Sequence, residues 1–400
     1  MKIAILTILY KQIVDDFYRN HPTIQSMPFS EQKQKFDSHA SLWATGWEQA
    51  LKKCGHEILT ITVNAHTVHN AWAHEHGFPS SDMNKIILEE VKQFKPEVLW
   101  YDYFDVRLIK EIKSSIQSLH LVLGWTGSAV ASYEVFREMN LVLSCAPETV
   151  ELLRKNGIVA YHLHHAFDPS INSFIHSGQK KYNITFVGQI VRGREFHTHR
   201  EHLLKQLVAE VDVDIFSPAH LQGMKEILKT PILQAAYLLS RPLKWLGVTS
   251  QLNNVERFRK ILELPELPKF PFDRKLKTKL QPPVFGLTMY QTLADSYIVL
   301  NIHADSSPLY ASNMRLFETT GVGTCLMTDW KKNIDELFTD EKEIMTYRSS
   351  DECVEKLIWL LRHPTEAAEL GSRGQQRTLQ CHTYDVRSRQ LLDIIRRSLS

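Results

Sequence analysis

The sequence is poor in cysteine and contains no long apolar run. Its five cysteines lie far apart and never form a C-x-x-C pair, which argues against a disulfide framework or a zinc ribbon. No stretch reaches the roughly 18 apolar residues of a membrane-spanning helix. One lysine precedes the apolar segment Ile3–Tyr10, but this segment stops at Lys11 without a small-residue cleavage site, so we expect a buried strand there. These absences predict a cytoplasmic protein that is at most peripheral to the inner face of a membrane.

A large excess of either charge is also missing. The chain has 47 basic and 45 acidic residues and a formal charge of +2, so no global field favours nucleic acid as a partner. Hydrophobic residues make up 43% and charged residues 23%, which is ordinary globular composition. A length of 400 residues predicts two substantial domains.

Apolar segments of strand length alternate with helical patterns, which is typical of βαβ units and a parallel sheet. In the first half we predict strands at Lys2–Ile8, His56–Val63, Glu97–Tyr101, His120–Gly124, Leu141–Ser144 and Ala160–His162. The second alternation includes strands at Asn183–Gly188, Val213–Phe216, Tyr297–Asn301 and Cys325–Thr328. The sequence therefore predicts two doubly wound α/β domains in tandem.

The predicted domains comprise residues 1–168 and 182–385, with Phe167–Lys181 as a linker beside a cleft. Residues 386–400 form a last helix that is expected to return to the first domain. Between about 220 and 280 a helical stretch and several prolines interrupt the alternation, which indicates an insertion. Within it, Met224–Leu246 places basic residues beside apolar ones. Such a helix suits a membrane surface, but a hairpin packed on its own domain is the commoner case.

The segment with the most chemical information is Asn313–Asp329, which follows a predicted strand and reads as loop, short helix, glycine stop and strand. Ligands of open α/β sheets lie beyond the carboxyl ends of the strands, and the start of the following helix attracts phosphate. We therefore expect Asn313, Arg315 and the strand-end residue His303 to contact a bound nucleotide.

Arg315 and Glu318 lie three residues apart, so on a helix they share a face. A guanidinium group suits a diphosphate, and a carboxylate can accept hydrogen bonds from two vicinal ribose hydroxyls. One nucleoside diphosphate would satisfy both side chains. The alternative is an ion pair on a solvated helix face, which contributes only about 0.2–0.5 kcal/mol.

Four blocks of the sequence carry a resemblance to a known family: Ile184–Gly188, Tyr297–His303, Asn313–Asp329 and His382–Arg387. Together they resemble the CgeB-like, spore-protein-related branch of GT-B glycosyltransferases, within the glycosyl transferases group 1 superfamily. The resemblance implies two Rossmann-like domains facing a cleft, with the acceptor held mainly by the first domain and a nucleotide-sugar by the second.

The resemblance also implies roles for single residues. Glu318 falls where related enzymes grip the donor ribose, and Arg315 where a cation meets the diphosphate. Retaining relatives often carry two glutamates spaced E-x7-E, but the earlier position here is Tyr310. Hexosyl transfer with retention is expected from the superfamily, and Tyr310 leaves the donor-sugar contact and the anomeric outcome open.

A second candidate phosphate contact is Gly188–Arg194, which follows the first predicted strand of the second domain. Glycines such as Gly188 would let the backbone approach phosphate, while Arg192 or Arg194 supplies charge; a solvated basic turn is the alternative. The spacing imitates a P-loop, but the Lys and Ser or Thr of that motif are missing. Asp212-Val213-Asp214 has D-x-D spacing, yet it lies at the entry of a strand, so no metal site is predicted.

The first domain offers candidates for the acceptor side. Asp102 and Asp105 follow a predicted strand and are possible bases for an acceptor hydroxyl, and His165 follows another strand near the linker. Trp43, where the first loop is expected to enter a helix, is a candidate to stack on a sugar. We take Asp102 and His165, together with Arg315, as the catalytic candidates.

These features predict a metal-independent glycosyltransferase without a cofactor, which moves a sugar from a nucleotide-sugar donor to a glycan, lipid-linked or protein acceptor. Two alternatives remain at this point. One is a nucleotide-sugar epimerase or hydrolase of the same architecture, and the other is a catalytically silent nucleotide-sugar-binding protein.

Overall fold

The computed structural model describes residues 1–78, 80–128, 132–176, 178–190, 198–221, 224–245, 256–262, 264, 267–268, 274–303 and 307–399. The chain forms two compact units, one of residues 1–185 with 284–400 and one of residues 186–283. Among the helices that the structure describes, none has the length and apolar character that crossing a bilayer demands.

The first sheet has six parallel strands in the order β2-β1-β3-β4-β5-β6. They are β1 (Lys2–Thr7), β2 (Glu57–Thr62), β3 (Val98–Asp102), β4 (Leu121–Thr126), β5 (Leu141–Ser144) and β6 (Ala160–His162). In the β1/β3 register Thr7 lies opposite Asp102, so the carboxyl ends of these strands meet at one edge of the sheet. The inner strands β1, β3, β4 and β5 are buried on both faces, which explains why they are nearly continuous apolar runs.

Helices cover both faces of this sheet. They are α1 (Lys11–Asn20), α2 (Phe29–His39), α3 (Leu42–Lys53), α4 (His66–Glu75), α5 (Met83–Phe94), α6 (Val106–Ser115) and α7 (Pro147–Lys155). Alternate residues of β1 enter two different cores: Ile3 and Ile5 pack with Trp47 of α3, whereas Ala4 and Leu6 pack in the core that contains α5, α6 and α7. This alternation follows from the two-residue period of a strand.

The second sheet also has six strands, in the order β12-β11-β10-β7-β8-β9. They are β7 (Tyr182–Val187), β8 (Val213–Phe216), β9 (Leu280–Gln281), β10 (Ser296–Asn301), β11 (Cys325–Asp329) and β12 (Met345–Tyr347). In the β10/β11 register Asn301 lies opposite Thr328, which places the ends of these two strands side by side.

The helices that follow β7 belong to both units. In residues 186–283 they are α8 (Thr198–Glu210), α9 (Met224–Trp245), α10 (Glu256–Leu262) and α11 (Arg274–Lys279). In the larger unit they are α12 (Gly286–Ala294), α13 (Arg315–Gly321), α14 (Ile334–Leu337), α15 (Ser350–Arg362), α16 (Pro364–Cys381) and α17 (Tyr384–Leu399). The last helix, α17, packs on α3, and Leu391 and Ile395 enter the same core as Trp47.

The structure differs from the sequence-based expectations in the segment after β1. The predicted first loop contains α1, α2 and a short 3-10 helix at Ile24–Ser26. Of the ten residues of α1, only Val14 and Phe17 are buried, and this apolar stripe is too short to mark a helix in the sequence. The sequence-based strands also omitted the short strands β9 and β12.

Candidate active site

Hydrogen bonds between amide side chains tie the loop before α13 to the ends of β10 and β11. Asn301 Nδ2 donates to Thr328 Oγ1 at 3.0 Å, and Asn313 Nδ2 donates to Asn301 Oδ1 at 2.8 Å. Asn313 Oδ1 in turn accepts from the backbone N–H of Arg315 at 3.2 Å. The β10 end thus fixes where α13 begins, so Asn313 already has a positioning role in the protein alone.

Arg315 and Glu318 form a largely buried ion pair on α13. The Arg315 Nη1 to Glu318 Oε2 distance is 2.7 Å, and the side chains are only 14% and 7% exposed. The alternative of a pair on a solvated face is therefore wrong. Arg315 Nη1 also contacts Met289 Sδ at 2.9 Å, and the Tyr290 hydroxyl donates to Glu318 at 3.5 Å. Arg315 Nε is buried and finds no hydrogen-bond acceptor among the described residues.

His303 is held by a carboxylate at the end of β11. Its backbone N–H and its ring Nδ1 both bond Asp329 Oδ1, at 2.9 and 2.7 Å, and Lys331 Nζ lies 3.0 Å from Asp329 Oδ2. Burial alone would raise the pKa of Asp329, but His303 and Lys331 together hold it below its ordinary value. With Nδ1 donating to Asp329, the buried Nε2 has no partner in the described part of the chain.

A residue that sequence reasoning missed, Glu148 at the start of α7, binds the loop that leads to α13. Its Oε2 accepts from Ser307 Oγ at 2.9 Å, and its Oε1 accepts from the N–H groups of Leu309 and Tyr310 at 2.9 and 3.1 Å. One carboxylate from the helix after β5 thus holds the backbone at Tyr310.

Asp102, at the end of β3, is half-buried and accepts a hydrogen bond from Thr7 Oγ1 at 3.0 Å. Burial raises the pKa of Asp102 to about 7, against the opposing effect of that hydrogen bond. A carboxyl that titrates near neutrality suits proton transfer. Asp105, the other acidic candidate, is the N-cap of α6 and bonds Leu108 N and Asn84 Nδ2, so its contacts are structural.

His165 is buried beside the first sheet, with its ring 5.3 Å from that of Trp125. Burial, helped by the charge of Arg387, lowers the pKa of His165 to about 3, so the imidazole is neutral. Its Nδ1 lacks a hydrogen-bond partner among the described residues. Arg387 Nε donates to the His165 carbonyl at 3.3 Å and Nη2 to His382 Nδ1 at 2.7 Å, so the C-terminal motif His382–Arg387 contacts this segment.

The candidates after β7 lie in the smaller unit. The Gly188 N–H donates to the Phe216 carbonyl at 3.1 Å, and a Cβ at Gly188 would lie 3.0 Å from the Phe186 ring, so a side chain would be crowded there. Arg192 and Arg194 lie outside the described residues. Asp212 and Asp214 bond Lys279 and Gln281. Within the described ranges, no three His, Cys, Asp or Glu side chains come together in a way that would hold a metal ion.

The structure thus brings Asn313 into contact with Arg315, and Arg315 into contact with Glu318, beside the β10 end that carries His303. Asp102 and His165 instead contact residues of the first sheet, Thr7 and Trp125. Asp329 could have been found from the sequence, because β11 neighbours β10 in a parallel sheet and both end at the same edge. Glu148 and Tyr290 had no such signal.

Comparison with known proteins adds to this picture. Residues 242–393 match the model of a family described as glycosyl transferase-like. No curated protein sequence matches the chain.

Solved structures resemble the chain over nearly its whole length. A glycosyltransferase from Rickettsia africae ESF-5 has 9% identity and a TM-score of 0.55, with 100% of this chain and 98% of that chain covered. Sucrose-phosphate synthase from Thermosynechococcus elongatus has 9% identity and a TM-score of 0.53, with 99% of this chain and 98% of that chain covered. Anabaena HepE, solved in complex with UDP-glucose, has 10% identity and a TM-score of 0.51, with 99% of each chain covered.

The fold is GT-B. Two parallel six-stranded sheets with helices and these structural matches confirm the predicted fold class. At such low identities the matches show the fold alone, and membership of the CgeB-like branch stays a prediction.

Proposed function

We propose that this GT-B protein is a metal-independent glycosyltransferase that moves a hexosyl or related sugar from a nucleoside-diphosphate donor to a glycan, lipid-linked or protein acceptor. The observation that carries the proposal is the largely buried Arg315–Glu318 pair on α13. It lies within residues 242–393, which resemble the glycosyl transferase-like family. The complex of Anabaena HepE with UDP-glucose supports a nucleotide-sugar as the donor.

The geometry of α13 fits the two halves of a nucleoside diphosphate. The largely buried Arg315 guanidinium carries an Nε without an acceptor among the described residues, which is a donor for a phosphate oxygen. The Glu318 oxygens bond Arg315 Nη1 and the Tyr290 hydroxyl, and each has a further lone pair that can accept from a ribose hydroxyl. His303, whose Nδ1 proton is directed to Asp329, keeps Nε2 for a polar group of the donor. We assign Arg315 to the diphosphate, Glu318 to the ribose, and Asn313 to positioning both.

The reaction needs a group that stabilises the leaving diphosphate and a group that receives the acceptor proton. As the bond between the anomeric carbon and the phosphate oxygen breaks, its electron pair passes to the diphosphate, where Arg315 offsets the new charge without a metal. The acceptor hydroxyl forms the new bond to the anomeric carbon, and its proton passes to Asp102. We expect retention, with attack from the face that the diphosphate leaves; the anomeric signals of the product in an NMR spectrum test this.

Binding of nucleotides tests the donor site. UDP, GDP, CDP, CMP and dTDP are added to the full chain, and at least one should raise the melting temperature. For that nucleotide, Glu318→Ala should weaken binding by about 1.5–3 kcal/mol, roughly 10- to 150-fold in Kd, because a hydrogen bond to a charged group is lost. Glu318→Gln keeps the side-chain shape in case the alanine variant fails to fold.

Glu352→Ala is the matched control, since Glu352 also forms an ion pair along a helix, with Lys356, but lies on α15. If a folded Glu318 variant binds nucleotide as tightly as the parent, the donor assignment is wrong. Turnover of the donor without any acceptor would favour an epimerase or hydrolase. Tight nucleotide binding without turnover for any acceptor would favour a silent binding protein.

A further inference from the structure

Helix α9 of the smaller unit exposes its apolar side chains. Among the side chains that the structure describes, those of residues 229–242, Ile232 and Leu239 are 70% and 71% exposed, and Leu238 is 60% exposed. Ile232 and Leu239 are seven residues apart, with Ala235 between them, so they form one ridge along the helix. We call Ile232, Ala235 and Leu239 the α9 ridge.

The opposite face of α9 is polar and faces the protein. Gln234 Nε2 donates to the Pro268 carbonyl at 2.7 Å, and Arg241 Nη2 donates to the Leu264 carbonyl at 3.0 Å. Thr230 is buried on the same stripe, as the spacing 230, 234, 237 and 241 requires. A surface helix of a globular protein normally turns its apolar stripe to the core. Along residues 230–241, whose side chains the structure describes, this polarity is reversed, and the apolar ridge does not pack against the protein.

The sequence segment that contains α9 differs in charge from the rest of the chain. Residues 224–283 contain twelve Lys and Arg and five Asp and Glu, a formal charge of +7, although the whole chain carries only +2. The remaining residues are therefore net acidic. Lys229, at the start of the described side chains, is exposed. The α9 ridge thus belongs to a basic segment of the sequence, which favours a negatively charged counterpart.

We propose that α9 docks on the surface of an anionic lipid bilayer, with the helix in the plane of the membrane. Ile232, Leu238 and Leu239 enter the boundary between headgroups and acyl chains, and the basic residues of 224–283 attract the headgroup phosphates. A second copy of this chain is a poorer occupant, because a symmetric contact through the ridge would bring two regions of charge +7 together. This inference goes beyond the proposed sugar transfer and does not depend on it.

Sedimentation of the full chain with vesicles tests the proposal. The parent should bind phosphatidylcholine vesicles that contain phosphatidylglycerol, bind pure phosphatidylcholine vesicles much more weakly, and lose affinity as salt is raised. Ile232→Ser/Leu239→Ser should weaken binding at least about tenfold, because two exposed aliphatic side chains no longer enter the bilayer. Leu379→Ser/Leu399→Ser is the matched control: both leucines are exposed on helices of the larger unit, and binding should not change.

Four outcomes would overturn the proposal. They are failure of the parent to bind anionic vesicles, equal binding to neutral vesicles, parent-like binding of the ridge variant, and equal loss in the control variant. A parent that is dimeric and ignores vesicles, together with a monomeric ridge variant, would assign the ridge to a second copy. Melting temperatures of all three proteins show whether each is folded, and the ridge lies on the surface, so we expect them to be similar.

Discussion

Two aspartates, one in each sheet, end a parallel strand and differ in their protonation. Asp102 is the last residue of β3 and Asp329 the last residue of β11. Burial raises the pKa of Asp102 to about 7, where the only opposing influence is a hydroxyl, Thr7. Burial acts in the same direction on Asp329, but an imidazole and an ammonium group lower its pKa below the ordinary value.

The two aspartates show that the position of a carboxyl group and its ionisation have different causes. The end of a parallel strand decides where a carboxyl lies, and the neighbouring charges decide whether it is ionised. The first sheet has a carboxyl that can take up a proton near neutral pH. The second sheet has one that stays ionised and holds His303 through its backbone N–H and its ring Nδ1.

Replacing the aspartate of the first sheet should have the largest effect. Asp102→Asn removes the proposed proton acceptor, so we expect turnover to fall about 10²- to 10⁴-fold. In a plot of turnover against pH, the parent should lose activity as pH falls below about 7, and this acidic limb should be missing in the variant. Thr7→Val should move this limb to higher pH, since the hydrogen bond from Thr7 lowers the Asp102 pKa. Unchanged turnover and an unchanged limb in Asp102→Asn would remove Asp102 from the mechanism.

The same pKa fixes the sign of a stability effect. The folded state binds the Asp102 proton more tightly than the unfolded state does. The stabilisation that this proton gives to the folded state is therefore full below about pH 4 and is lost as pH rises through about 7. Asp102→Asn should therefore be more stable than the parent at pH 8 and close to it near pH 4, which urea unfolding at the two pH values measures.

Replacing the aspartate of the second sheet should have a smaller effect and the opposite pH dependence. Asp329→Asn leaves His303 and Lys331 without their carboxylate, so we expect the free energy of unfolding at pH 7 to fall by about 3 kcal/mol. Because the folded pKa is lowered, the difference should narrow as pH falls below about 4. Urea unfolding measures the free-energy difference, and Asp335→Asn, at an exposed position, is the control. Equal stabilities of the two variants would show that the Asp329 carboxylate does not stabilise the fold through His303 and Lys331.

The sequence could predict what depends on local pattern. The alternation of apolar runs located the long strands, and the rule that ligands lie beyond strand ends selected Asp102, His303 and the Asn313–Glu318 segment. The same reasoning did not predict α1 and α2, because each of these helices buries only two residues and so has no clear apolar stripe in the sequence.

Contacts between distant parts of the chain left no such pattern. Tyr290 meets Glu318 because α12 packs on α13, and Arg387 reaches His165 although more than two hundred residues separate them. Tertiary packing selects these partners, and neither spacing nor composition encodes it. The burial that changes the pKa of Asp102 has the same origin.

Glu148 is a third carboxylate, and it joins the two regions compared above, since α7 follows β5 of the first sheet and residues 307–310 follow β10 of the second. Glu148→Gln keeps one oxygen for the N–H groups of Leu309 and Tyr310 but removes the charge, so we expect a loss of about 1 kcal/mol in unfolding free energy. Because this loop leads to Asn313, the KM for the donor should rise several-fold while kcat changes little. Glu151→Gln, an exposed position on the same helix, is the control. If the two variants have the same donor KM, Glu148 does not position the donor site, and the two sheet edges act independently.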